Sequence, residues 1–126
     1  MAPSYEIDAT LRLVRLNYGG IHPTISEWKA TMQTIFADPR FGPGCSFLFD
    51  KRGCPAATTQ YVKDASEFYL AHTDKLEIAR WAILVSDPLS FGMSRMTEGY
   101  CGSRENVRAF IDLAEAERWL AAGVRA

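Results

Sequence analysis

Cys45-Ser46-Phe47-Leu48-Phe49-Asp50-Lys51-Arg52-Gly53 is the stretch from which the fold is read. Apolar residues run almost unbroken to Asp50, so both faces of the segment need cover, as in a central strand of a parallel sheet. Charge and glycine follow at once and mark the end of the strand and a loop. Downstream, Tyr61, Val62, Ala65, Phe68 and Tyr69 recur at helical spacing and predict a helix over residues 58–72. The unit then repeats. Trp81-Ala82-Ile83-Leu84-Val85 reads as a strand and Ser86-Asp87-Pro88 as a helix entry, with Leu89, Met93, Met96 and Tyr100 forming one face of the next helix. That face is expected to pack as core, with Gly92 allowing a close approach to a neighbour. A last strand over 107–111 runs into Asp112-Leu113-Ala114-Glu115, a capping-box pattern, and a helix burying Ala116, Trp119 and Leu120.

Upstream, Gly42-Pro43-Gly44 is a turn signal, and Thr24-Ile25-Ser26-Glu27 is a capping box. It opens a helix whose apolar face is Trp28, Met32, Ile35 and Phe36, stopped by Asp38-Pro39 because a residue before proline avoids helical geometry. Residues 5–18 alternate as two short strands around a turn at Asp8 to Thr10. Leu11 and Leu13 fall out of phase with Val14 and Leu16, which implies a bulge or a strand covered on both faces. The order β-β-α-β-α-β-α-β-α specifies an α/β fold with a mixed sheet, an opening hairpin followed by parallel strands joined by right-handed crossover helices.

At 126 residues, with 48% hydrophobic and 23% charged residues, the chain suits one domain over 1–126, and no linker or repeat divides it. Fourteen basic residues against fifteen acidic leave no positive field for a phosphate backbone, so nucleic acid is not an expected partner. No apolar run approaches the ~20 residues of a membrane span, and no leader pattern opens the chain, so a cytoplasmic location is expected. Cys45, Cys54 and Cys101 are an odd set without metal-ligand spacing, which fits a reducing compartment and predicts neither metal nor cofactor. Cys45 is expected to be buried and Cys54, beside Pro55, more exposed.

The whole order resembles the STAS domain of anti-sigma-factor antagonists, and more narrowly the bacterial SpoIIAA-like family. Phe47-Leu48-Phe49-Asp50-Lys51-Arg52-Gly53 is similar to that family's apolar strand with its Asp-x-Arg loop, and Phe91-Gly92-Met93-Ser94-Arg95-Met96 to its third helix. Residues 107–112 and 115–120 resemble its final strand and helix. The resemblance implies a non-catalytic interaction or regulatory module, binding a protein partner or itself as a homodimer. Antagonists of this kind are switched by phosphorylation of a serine after the central strand. Here the matching loop, Asp50-Lys51-Arg52-Gly53, has no hydroxyl, and Thr58 and Thr59 read as helix caps.

Ligands of open α/β sheets bind beyond the carboxyl ends of the strands, which nominates Gly20, His22, Asp50, Lys51, Arg52, Ser86 and Asp87, with Asp112 beside them. Three uses are weighed. Lys51 or Arg52 can receive the charged head of an apolar or amphipathic, lipid-type molecule lodged between the third helix and the sheet, in a carrier or sensor. His22 with Asp50 can act as a general base in a small hydrolase, although no G-x-S-x-G, P-loop or H-E-x-x-H motif supports it. The plainer use of the carboxylates is capping, or a pair between Asp50 and Arg52. Leu89, Phe91, Met93, Met96 and Tyr100 are the candidate interface or apolar groove, and His72 is expected to meet the carbonyl end of its own helix.

Overall fold

The alternation read from the sequence folds into β1 (Ser4–Asp8), β2 (Leu13–Asn17), α1 (Ile25–Ala37), β3 (Ser46–Asp50), α2 (Thr59–Ala71), β4 (Trp81–Leu84), α3 (Pro88–Tyr100), β5 (Val107–Phe110) and α4 (Leu113–Val124). The computed structural model describes residues 2–42, 44–74, 76, 79–102 and 106–124. Pro43, in the expected turn before β3, lies outside them; its neighbour Gly44 has the positive φ of 85° that the turn needs.

One sheet has the order β1-β2-β3-β4-β5, with β1 antiparallel to β2 and every later pair parallel. The register explains the core. Val14, Phe47, Trp81 and Val107 align across four strands, and Leu16, Phe49, Ile83 and Ala109 form the next row on that face. Leu13, Leu48, Ala82 and Leu84 cover the opposite face. Pairing from Ser4–Asn17 to Asp8–Leu13 is continuous, so the out-of-phase leucines need no bulge. Leu13 serves the second face, while Leu11 stays half-exposed in a turn that runs on to Arg12, whose φ is 52°.

Each crossover advances one strand in the same direction, which places α1, α2 and α3 on one face. α4 packs over the other face, against β3, β4 and β5. Among the described strands the order therefore never reverses, and they form no switch point at which helices diverge and open a ligand crevice.

Caps fix the helix starts. In α1 the Thr24 hydroxyl accepts from the Glu27 amide at 3.1 Å and the Glu27 carboxylate from the Thr24 amide at 2.9 Å. Thr58 caps α2 by accepting from Tyr61 N–H at 3.1 Å, and His72 Nδ1 lies 2.8 Å from the Phe68 carbonyl at that helix's end. Asp112 accepts from Ala114 N–H at 2.8 Å, the Asp half of the pattern read before α4.

α3 is turned differently from its hydropathy. Its buried residues are Ser90, Ser94, Thr97 and Glu98, whereas Leu89 is 68% and Tyr100 43% exposed, with Phe91, Met93 and Met96 only partly covered. The inward hydroxyls find local acceptors: Ser90 Oγ donates to Asp87 at 2.8 Å and Thr97 Oγ1 to the Met93 carbonyl at 3.4 Å. Gly92 faces open space and permits no close approach; small Ser90 and Ser94 do that instead. Glu98, 6% exposed, accepts from the Ala109 amide of edge strand β5 at 2.9 Å, and Arg95 pairs with its other oxygen at 3.3 Å. No helix among the described residues is long and apolar enough to cross a membrane.

Candidate functional site

The carboxyl ends of the parallel strands are tied together by Tyr18 N–H to the Asp50 carbonyl (3.2 Å), Lys51 N–H to Leu84 (2.9 Å) and Val85 N–H to Phe110 (3.0 Å). Most of the polar residues expected at this rim hold loops together. Arg52 spends its fork on Asp50, Nε to Oδ1 at 2.9 Å and Nη2 to Oδ2 at 2.8 Å, and this pairing holds the Asp50 carboxyl below the usual range. Ser86 Oγ accepts from Gly53 N–H at 3.0 Å, and Asp87 caps α3 through Ser90 N–H at 2.8 Å. Gly20 lies against the Gly53 backbone, where both residues have positive φ. Cys54 is 5% exposed and so buried beneath these loops, contrary to the expectation from its turn sequence. All three cysteines are free and buried, and burial pushes the Cys101 thiol up to about 11.

His22 and Asp50 are not a hydrogen-bonded pair. His22 Nδ1 sits 3.0 Å from the Pro23 carbonyl, an arrangement that favours the tautomer with the proton on Nδ1, and its Nε2 is buried without a partner. Burial first, and then the nearby Lys51 charge, lower its pKa to about 4, so the ring is neutral at ordinary pH.

Lys51 alone of the rim cations turns into a cleft between α2, α3 and the sheet. Tyr61, Val62 and Ala65 of α2 form one wall and Met93, Ser94 and Thr97 of α3 the other, over a floor of Phe49, Trp81 and Ile83. Its cavity volume is about 40 Å³, above the ~10–15 Å³ that a single water needs. The flexible Met93 thioether is the wall element best able to give way to anything larger.

Polar atoms in and beside this cleft are incompletely paired. Among the described residues the buried side-chain nitrogens and oxygens without a hydrogen bond are His22 Nε2, Tyr61 Oη and Trp81 Nε1. They belong to one aromatic cluster: His22 meets Tyr61 edge-on at 4.5 Å and Tyr18 at 5.9 Å, and Trp28 joins Tyr61 at 6.4 Å to Trp81 at 6.1 Å. Leaving one such group unbonded costs about 1–3 kcal/mol. Lys51 Nζ lies 5.6 Å from the Tyr61 ring centre and 6.0 Å from that of Tyr18, with no ion pair among the described residues. Burial lowers its pKa to about 8 and pushes the Tyr18 and Tyr61 phenols up.

Sequence reasoning nominated Lys51, His22 and Met93 but missed Trp81, Tyr61 and the serines of α3. Two signals were present. Trp81 opens a buried strand with an indole N–H that demands an acceptor, and Ser90, Ser94 and Thr97 recur at helical spacing beside the apolar set. Among the described residues no three His, Cys, Asp or Glu side chains converge as metal ligands would. Compared with family models, curated proteins and solved structures, the chain matches none of them.

Proposed function

We propose that this chain is a small-ligand-binding module, a sensor or carrier of the SpoIIAA-like STAS type, that holds a short amphipathic anion between α2, α3 and the sheet. The observation that carries the reading is Trp81 Nε1: the residue is 2% exposed, lines the cleft and has a hydrogen-bond donor with no acceptor. A ligand oxygen there restores the missing bond, and an acidic group near Lys51 gives that cation its counter-charge. Between them Phe49, Ile83, Val62 and Met93 offer apolar surface. Arg52, committed to Asp50, is not needed for the head group.

The test is a titration of ¹⁵N-labelled protein with hexanoate, following the Trp81 indole N–H resonance identified with Trp81→Phe. A saturable shift, weakened tenfold or more in Lys51→Met, is the expected result. An indole resonance that stays fixed for hexanoate, benzoate and their neutral amides alike overturns the reading, as does native mass spectrometry of gently purified protein without any passenger alongside it.

A second reading, self-association, is favoured by the outward face of α3, where Leu89 and Tyr100 stand exposed beside Phe91 and Met96. Light scattering of Leu89→Asp/Met96→Asp tests it. A dimer that dissociates in this folded variant supports the interface, and a wild-type monomer at high concentration removes it.

A further inference from the structure

Lys51 leaves the end of β3 and reaches the cleft with no carboxylate among the described residues to hold it, because the adjacent acid, Asp50, is taken by both prongs of Arg52. Two phenol rings flank its amine at 5.6 and 6.0 Å. Such an amine differs from the exposed Lys29 and Lys63: the rings restrict its motion, and partial burial favours the neutral, nucleophilic form. The cleft also holds Trp81 Nε1, which has no hydrogen-bond partner among the described residues and suits a carbonyl or carboxylate oxygen, and the Tyr61 phenol, which neighbours that of Tyr18.

We propose that Lys51 is a covalent site for small carbonyl compounds, its amine condensing with an aldehyde or 2-oxo acid that enters the cleft to give an imine. The inference rests on the ligand-binding reading and specifies its chemistry. The neutral Nζ gives its lone pair to the carbonyl carbon, and the π pair moves to oxygen. A proton transferred from nitrogen to that oxygen completes the carbinolamine. Its hydroxyl then leaves as water with the second amine proton, and a C=N bond remains. Neither oxidant nor reductant is consumed, and water returns the carbonyl compound unchanged. With a pKa of about 8, about a quarter of Lys51 is neutral at pH 7.5, against about 0.1% of an ordinary lysine.

Full-length protein is treated at pH 7.5 with limiting glyoxylate and cyanoborohydride, which reduces an imine to a stable secondary amine, and each lysine is then quantified by peptide mapping. The expected result is at least tenfold higher occupancy at Lys51 than at Lys29 or Lys63, abolished when protein is denatured before labelling. Even labelling of Lys29, Lys51 and Lys63, or none at Lys51, overturns the proposal without recourse to a variant. The hexanoate titration separates the two levels: an indole shift without selective labelling leaves a non-covalent binding site, whereas failure of both removes the cleft as a ligand site.

Discussion

The two faces of the sheet are built to different standards. Beneath α4, Leu13, Leu48, Ala82 and Leu84 meet Ala116 and Leu120 in an aliphatic contact with no unpaired buried polar side chain among the described residues. Beneath α1, α2 and α3 lies a mesh of Trp28, Phe47, Phe49, Phe68, Tyr69 and Trp81, and the unbonded buried polar atoms all lie on this side. Flat aliphatic side chains close a surface by area alone, whereas large rings with polar tips leave gaps and orphaned donors when they interlock. The α4 face is closed aliphatic packing, whereas the interlocked rings of the aromatic face leave a cleft beside a partly buried cation.

Truncation is the strongest way to break this contrast. Trp28 touches the rings of Phe49, Tyr61, Phe68 and Trp81, and Trp28→Ala is expected to cost about 3–5 kcal/mol, more than Leu120→Ala, which should fall in the lower part of the range of about 2–5 for such truncations. Urea denaturation of both variants measures it, and equal losses would mean that the aromatic face is not the more tightly interlocked.

Lys51→Met sharpens the contrast with a gain. Replacing a desolvated ammonium by an apolar chain of similar length should stabilise the protein at pH 7 by about 1–3 kcal/mol. The sign follows from its proton: the unfolded lysine keeps it to 10.5, the folded one releases it near 8. The unfolded chain thus binds more protons in that window, and wild-type stability rises with pH across it. The advantage of Lys51→Met should accordingly shrink between pH 7.5 and 9, and an advantage constant with pH would contradict it.

His22 gives a smaller effect at the acid end. Its pKa falls from 6.5 to about 4 on folding, so the stability it contributes is complete above 6.5 and is lost as pH drops towards 4. His22→Gln should flatten the decline between pH 6.5 and 5 by about 1 kcal/mol, which thermal unfolding at the two pH values resolves. Smallest of all, Trp81→Phe keeps one buried aromatic ring and deletes the pyrrole ring with an N–H that bonds to nothing among the described residues. A change within about 1 kcal/mol is expected; a loss of several would show that the indole nitrogen has a partner after all.

The difference between the faces also explains what could be read in advance. β3 and its parallel neighbours were legible because runs such as Phe47-Leu48-Phe49 allow few other outcomes, and Thr24, Thr58 and Asp87 mark helix starts by chemistry that is local in sequence. The orientation of α3 was not legible. Hydropathy turns Leu89 and Tyr100 inward, but Ser90 and Thr97 satisfy their hydroxyls within their own turn and so enter the core at low cost. The cleft was half legible: Lys51 follows from its place at a strand end, while the orphaned Trp81 nitrogen depends on which side chains fail to reach it. The dyad of His22 and Asp50, weighed only as an alternative, gives way to nearer partners, the Pro23 carbonyl and Arg52, the latter the plainer pairing read from the sequence.

Glu98 limits how this sheet can grow. By holding the outward amide of Ala109, it plugs the middle of a four-residue edge strand that another chain would otherwise extend. Among the described strands, the β1 edge is then the one left open to accept a strand. A sheet with two free edges propagates into an open array, but one with a single free edge can join a copy of itself once and stop. The plug thus biases any strand-mediated assembly towards a closed pair and away from fibres.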